Sequence, residues 1–162
     1  MTTPHPPHPS APSSKLEALR LPPFHLDDAG IAWVADQLRT LTTEQKVRQL
    51  FNVAAHGDDE AQVAALAALG VGGVTRFGGA DLDASWRATR ALIERSEIPL
   101  LISGDIEGGA IGLPFGTALP NQLGLAATGS TALAEEAVTV LAREARAMGY
   151  NWTFTPVTDL NA

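Results

Sequence analysis

The sequence predicts an α/β protein built on a parallel sheet, and three observations carry that reading. Short apolar or β-branched runs, Val71–Phe77 and Ile98–Ile102, lack the polar alternation of a strand with one wet face. Stretches with helical spacing lie between them, each opening on an Asp, Ser or Thr that can cap a first turn. Glycines stop those helices before the next strand begins. Strands alternating with helices imply parallel pairing and right-handed crossovers.

In chain order, residues 1–14 (MTTPHPPHPSAPSS) hold almost nothing to bury and are expected to form a disordered tail. His5 and His8 there read as solvated residues rather than metal ligands. Residues 15–48 read as a helical lead-in. Asp27 or Asp28 caps a helix that carries Ile31, Val34, Ala35 and Leu38 on one face. A second helix opens at Thr42, with Gln45 completing a capping box.

Residues 49–162 hold the strand–helix rhythm. Leu50–Ala54 shades into a first strand, and Asp59–Leu69 is an Ala-rich helix stopped by Gly70. After the strand Val71–Phe77, Asp81 or Asp83 caps a helix with Leu82, Trp86, Thr89 and Ile93 on one stripe. Ile98–Ile102 reads as a strand buried on both faces, followed by a long loop through Asn121. Ser130 or Thr131 opens a helix with Leu133, Ala137, Leu141, Ala145 and Met148 on one stripe, and Asn151–Val157 is a last strand. Three or four strands suit either a small open sheet or the first half of a (β/α)8 barrel, which takes about 250 residues.

Composition excludes several functions. The 162 residues include 11 basic and 18 acidic ones, a net charge of −7, so no basic stripe exists for nucleic acid or an anionic membrane surface. No apolar run approaches the roughly 20 residues of a membrane span. No secretion signal is visible at the start, and zero cysteines fit a reducing cytoplasm, the expected location.

The chemistry concentrates at residues 98–109. The strand ends at Ser103-Gly104, and Asp105, Glu107, Gly108 and Gly109 follow at once. Carboxylates just past a parallel strand sit where α/β folds place ligands, and glycines beside them admit close backbone approach. Asp105 read in isolation is equally a turn cap. His56-Gly57-Asp58-Asp59 resembles a metal cluster, but its aspartates read better as caps of the helix that follows. The glycines at 70, 72 and 73 are not a dinucleotide fingerprint, since Thr75 stands where the third glycine belongs. No cofactor or metal is expected. Trp33, Trp86 and Trp152 read as packing residues, with Trp152 the one near the rim.

Several segments together resemble one family. Thr42–Leu50 looks like the helix that opens the N-terminal domain of glycoside hydrolase family 3. Gly72-Gly73-Val74 and Phe77-Gly78-Gly79 resemble its second-strand signature, Ile98–Gly109 its D-x-E-G-G motif, and Gly116–Asn121 its G-T-x-x-P segment. Arg146–Asn161 is similar to its R-A-x-G-I-N-x-x-F-A-P-V-x-D-x-N block. The resemblance implies a retaining β-glycosidase on a (β/α)8 barrel, of which this chain is the N-terminal half. The D-x-E-G-G form is nearest the β-N-acetylhexosaminidase branch, which implies β-linked N-acetylglucosamine, or glucose, as the sugar.

By that resemblance Asp105 binds hydroxyls of the sugar, a task that suits a carboxylate with two acceptor oxygens. Glu107 is a prop for the glycine loop, and Asp159 a further residue at the rim. Where many relatives carry Arg-Val-x-Arg, this chain has Ala110-Ile111-Gly112-Leu113. No residue here matches the family's nucleophile or acid/base, so no catalytic residue is assigned and the chain alone is expected to be inactive. The alternative is a non-catalytic half-barrel that associates with itself through unpaired edges.

Overall fold

The computed structural model describes residues 12–108 and 111–157. The chain divides into two compact units, with the boundary between Lys46 and Val47. Of the tail expected over residues 1–14, residues 1–11 lie outside the described part, and Pro12 already begins a short helix, α1 (Pro12–Glu17).

In the first unit a 3-10 turn (Ala18–Arg20) leads to α2 (Asp28–Thr40). Asp27, not Asp28, is the cap, its carboxylate accepting from Gly30 N at 2.8 Å. Asp28 pairs instead with Arg20. A third helix, α3 (Thr43–Arg48), opens on the expected capping box. Thr42 N donates to Gln45 Oε1 at 2.9 Å, and Gln45 N donates to Thr42 Oγ1 at 3.2 Å.

The second unit holds β1 (Asn52–His56), α4 (Glu60–Leu69), β2 (Gly73–Phe77), α5 (Leu82–Arg95) and β3 (Leu101–Gly104). After them come α6 (Gln122–Ala127), α7 (Thr131–Ala147) and β4 (Trp152–Thr153). The four strands form one parallel sheet in the order β1-β2-β3-β4, half the strand count of a (β/α)8 barrel laid out in its sequence order. Asp59, Asp81 and Ser130 cap α4, α5 and α7. Gly70 ends α4 in the left-handed conformation that a side chain would disfavour.

Register divides the sheet into two faces. Ala55, Val74 and Ile102 point to one side and form a buried core with Val63 of α4, Ala88 and Leu92 of α5, and Leu141 and Ala145 of α7. The other side carries Asn52, Thr75, Leu101 and Ser103, and it is largely open.

Five expectations need correction. The strands β1 and β3 begin two and three residues later than Leu50 and Ile98, because pairing follows β2 rather than the apolar run. Leu101, 52% exposed, shows that β3 is not buried on both faces here. Helix α5 buries Ser85, Ala88, Thr89 and Leu92, whereas Leu82, Trp86 and Ile93 of the expected stripe are exposed. Small side chains let a helix sit close to a sheet, and close packing outweighs hydrophobic bulk in choosing the face. All three tryptophans are substantially exposed rather than packed. The helix α6, capped by Asn121, interrupts what reads in sequence as loop.

Candidate functional site

Asp105 stands directly past the C-terminal end of β3, in a segment held by its backbone. Thr153 Oγ1 donates to Gly104 O at 3.2 Å, and Thr155 Oγ1 donates to Ile106 O at 2.7 Å. Thus the carbonyls on either side of Asp105 are tied to the chain around β4. Asn151 secures the entry to that strand: its Oδ1 accepts from Ile102 N at 2.8 Å and its Nδ2 donates to Leu100 O at 2.9 Å. Ile106 is buried and anchors the segment in the core.

The loop then folds back on its own start. A Cβ at Gly112 would lie 2.1 Å from Asp105 O, and Gly112 adopts φ of +81°, so only glycine fits there. Residues 111–113 therefore close over the backbone of Asp105. Leu113 is buried in the core. Further along, Glu144 of α7 holds the loop: its Oε2 accepts from Thr117 N at 3.0 Å and its Oε1 from Thr117 Oγ1 at 2.5 Å. These bonds, the hydroxyl's first, hold the Glu144 carboxyl below its ordinary range.

This scaffold leaves the acids unengaged. Among the described residues, none hydrogen-bonds to the carboxylate of Asp105 or of Glu107, and both are half-buried. The backbone N–H bonds expected of Glu107 are not made to any described residue. Nor do the two acids share one space. Glu107 borders a largely apolar cavity of about 390 Å³ beside α7 and β4, with Leu141, Tyr150 and Trp152, whereas Asp105 does not line it. Asp159 and Gly109 lie outside the described residues.

Two aromatic pairs stand at strand ends of the sheet. His56 and Phe77, paired in register at the C-terminal ends of β1 and β2, stack with ring centroids 4.8 Å apart and planes 12° from parallel. On the other side, Trp152 pairs in register with Ser103 and meets Phe154 at 5.0 Å, tilted by 56°. Nearer the middle of the same face, Asn52, Thr75 and Ser103 close a triangle of hydrogen bonds 2.9–3.1 Å long.

A buried charge also supports the rim. Arg76, 1% exposed, donates to Asp58 Oδ1 at 2.5 Å and to Gly57 O at 2.8 Å. Asp58 Oδ2 accepts from Gly79 N at 2.8 Å, so the pair ties together the loops that leave β1 and β2. Of the two aspartates read as helix caps, only Asp59 is one. The Tyr150 phenol lies near this pair. Burial pushes it up, Arg76 draws it down and Asp58 raises it. Spacing gives no sign of Arg76, since its partner lies 18 positions away in sequence. Of the aromatic pairs, Trp152 and Phe154 lie two residues apart in sequence, whereas His56 and Phe77 meet only through strand register. No group of three or more His, Asp or Glu side chains suited to a metal occurs among the described residues.

Known proteins match this arrangement. Residues 42–162 match the profile of the family described as "Glycosyl hydrolase family 3 N terminal domain". A relative from Cellulomonas fimi, "Beta-N-acetylglucosaminidase/beta-glucosidase", is 42% identical over 141 residues, which span 86% of this chain and 25% of that protein. Among solved structures, "Beta-glucoside phosphorylase BglX bound to 2FGlc" superposes with a TM-score of 0.75 at 29% identity, covering 86% of this chain and 26% of that one. A second structure, "Beta-glucoside phosphorylase BglX", gives 0.73 at 30% identity over 86% of this chain and 25% of its own. The chain spans about a quarter of the length of the relatives it matches.

Proposed function

The chain belongs to glycosyl hydrolase family 3, as that family's N-terminal domain, and from that premise we propose that it supplies the sugar-gripping wall of a retaining β-glycosidase. The substrate class is a terminal β-N-acetylglucosaminide, with β-glucosides next. The observation that carries the reading is Asp105: its backbone is pinned at the end of a parallel strand, and no described residue uses its carboxylate. A carboxylate so placed accepts charge-assisted hydrogen bonds from adjacent hydroxyls, which tighten as the ring distorts toward its oxocarbenium-like transition state. Glu107 and Asp159 belong to the same proposal, as neighbours rather than catalysts.

Retaining hydrolysis needs a nucleophile and an acid/base about 5–5.5 Å apart. The reading assigns neither to this chain, so the remainder of a barrel provides them. Whether water or phosphate takes the glycosyl group is open to direct assay, since the solved relatives are named phosphorylases. A cytoplasmic setting belongs to the same reading, supported by the cysteine-free composition.

The test has two parts. The purified chain, incubated with a chromogenic β-N-acetylglucosaminide with and without phosphate, is expected to release no chromophore. Release would place a nucleophile within it. Asp105→Asn is expected to weaken binding of methyl β-N-acetylglucosaminide, followed by NMR, by about 1–3 kcal/mol. Equal affinity in the two proteins would remove Asp105 from the site.

A second reading is favoured by the open sheet face and by β1 and β4, each of which has one strand neighbour. In it the chain pairs with itself and serves as a non-catalytic module. Light scattering distinguishes the two, because a monomer that binds sugar excludes the module.

A further inference from the structure

We infer that Thr155 is a positioning residue: its hydroxyl, supported by that of Thr153, fixes the peptide that follows Asp105 and so aims the Asp105 carboxylate. The inference rests on the reading that Asp105 grips a sugar, and it adds what holds the acid in place beforehand. The backbone ladder between β3 and β4 stops just short of this segment. Strand β4 has only two residues, and its register with β3 ends at the Gly104–Thr153 pair. Pro156 then brings no N–H with which to continue. Ile106 is 3% exposed, so its carbonyl needs a donor from within the protein. Among the described residues no backbone N–H supplies one, because Thr155 N turns instead to Thr153 Oγ1 at 3.2 Å. The Thr155 hydroxyl takes that place, donating to Ile106 O at 2.7 Å.

Proton supply sets the direction of these bonds. A threonine hydroxyl has one proton to give, and a carbonyl oxygen has none. The proton of Thr155 is committed to Ile106 O, so the 2.9 Å contact between the two hydroxyls draws its proton from Thr153. Thr153 divides that proton between Thr155 Oγ1 and Gly104 O, the latter at the longer distance of 3.2 Å. Donation therefore runs from Thr155 N to Thr153 Oγ1, on to Thr155 Oγ1, and ends on Ile106 O. Bonds chained head to tail in this way polarise and strengthen one another. One pair of hydroxyls thus reaches the carbonyls on both sides of Asp105, while the Ile106 side chain is seated in the core. With both neighbouring peptides held, the Cα–Cβ bond of Asp105 has one direction, and its carboxylate keeps only its own rotamer freedom. A group ordered before its ligand arrives spares the cost of ordering it on binding.

The test is an NMR titration of the chain with methyl β-N-acetylglucosaminide. Thr155→Ala removes the hydroxyl and is expected to weaken binding at least about fivefold, whereas Thr155→Ser restores the donor and is expected to stay within about twofold of wild type. The amide nitrogen of Glu107 shares its peptide with the Ile106 carbonyl, so its resonance is expected to move in the alanine variant and to return in the serine one. Wild-type affinity in Thr155→Ala, with binding lost in Asp105→Asn, would overturn the role of Thr155 and leave that of Asp105 standing. Equal losses in the alanine and serine variants would also overturn it, because the hydroxyl would not be the cause. No saturable shift with the wild-type chain would bring down the role of Asp105 and this one with it. If Thr155→Ala fails to fold, Thr153→Val answers in its place. It keeps the side-chain shape, breaks the chain of bonds before Thr155, and is expected to weaken binding about threefold, and unchanged affinity there would refute the inference.

Discussion

The two faces of the sheet follow different rules although the same strands make both. On the helix side Ile102 is 0% exposed, while its neighbour Leu101 on the open side is 52% exposed. One face is closed by hydrophobic packing against α4, α5 and α7. The other is organised by hydrogen bonds among Asn52, Thr75 and Ser103 and by rings at its C-terminal rim. The lesson is that apolar packing and polar chemistry are separated across a single layer of backbone. The helix side holds the strands together, and the open side uses their register to bring distant polar groups and rings together.

The largest expected effect tests the buried Arg76–Asp58 pair. Arg76→Ala leaves the Asp58 carboxylate, whose side chain is 12% exposed, without its counter-ion. Removing one partner of a buried pair costs about 3–5 kcal/mol, and urea unfolding is the measurement. A loss below about 1 kcal/mol would mean that water replaces the guanidinium and that the closed side is wetter than it looks.

Next in size is the contrast between neighbours. Ile102→Ala is expected to cost about 2–5 kcal/mol by opening a cavity. Leu101→Ala is expected to stay within about 0.5 kcal/mol. Similar losses for the two would show that the open face is covered in solution, which favours self-association.

The smallest effect concerns pH at the loop after β3. The Glu144 carboxyl is held down by Thr117, so its folded-state pKa lies below the unfolded one. Its contribution is therefore complete above the unfolded value of about 4.3 and is lost as pH falls through the folded value. Amide protection around Thr117, measured relative to the unstructured peptide at each pH, is expected to fall in that acid range and to show no such step in Glu144→Gln. An unchanged profile in the variant would release the loop from Glu144.

Much of this was legible because it is local. Asp27, Asp59, Asp81 and Ser130 satisfy backbone N–H groups three residues ahead, a relation written within one turn of chain. The position of Asp105 at a strand end was equally readable, since apolar run, glycine and acid follow one another directly. Other features depend on residues that meet only after folding. The Arg76–Asp58 pair, the Glu144–Thr117 latch and the His56–Phe77 stack join positions 18, 27 and 21 apart. The face of α5 was misread for the same reason, because bulk is visible in a sequence whereas fit to a neighbouring surface is not.

By itself, then, the sequence determined the strand–helix order, the helix caps and the acid at the end of β3, all consequences of short-range spacing and backbone valence. Only the tertiary structure decided which side of the sheet is closed, which charge is buried beneath the rim, and that the rings of His56 and Phe77 stack. Those outcomes depend on register and packing between distant segments, and no local pattern encodes them.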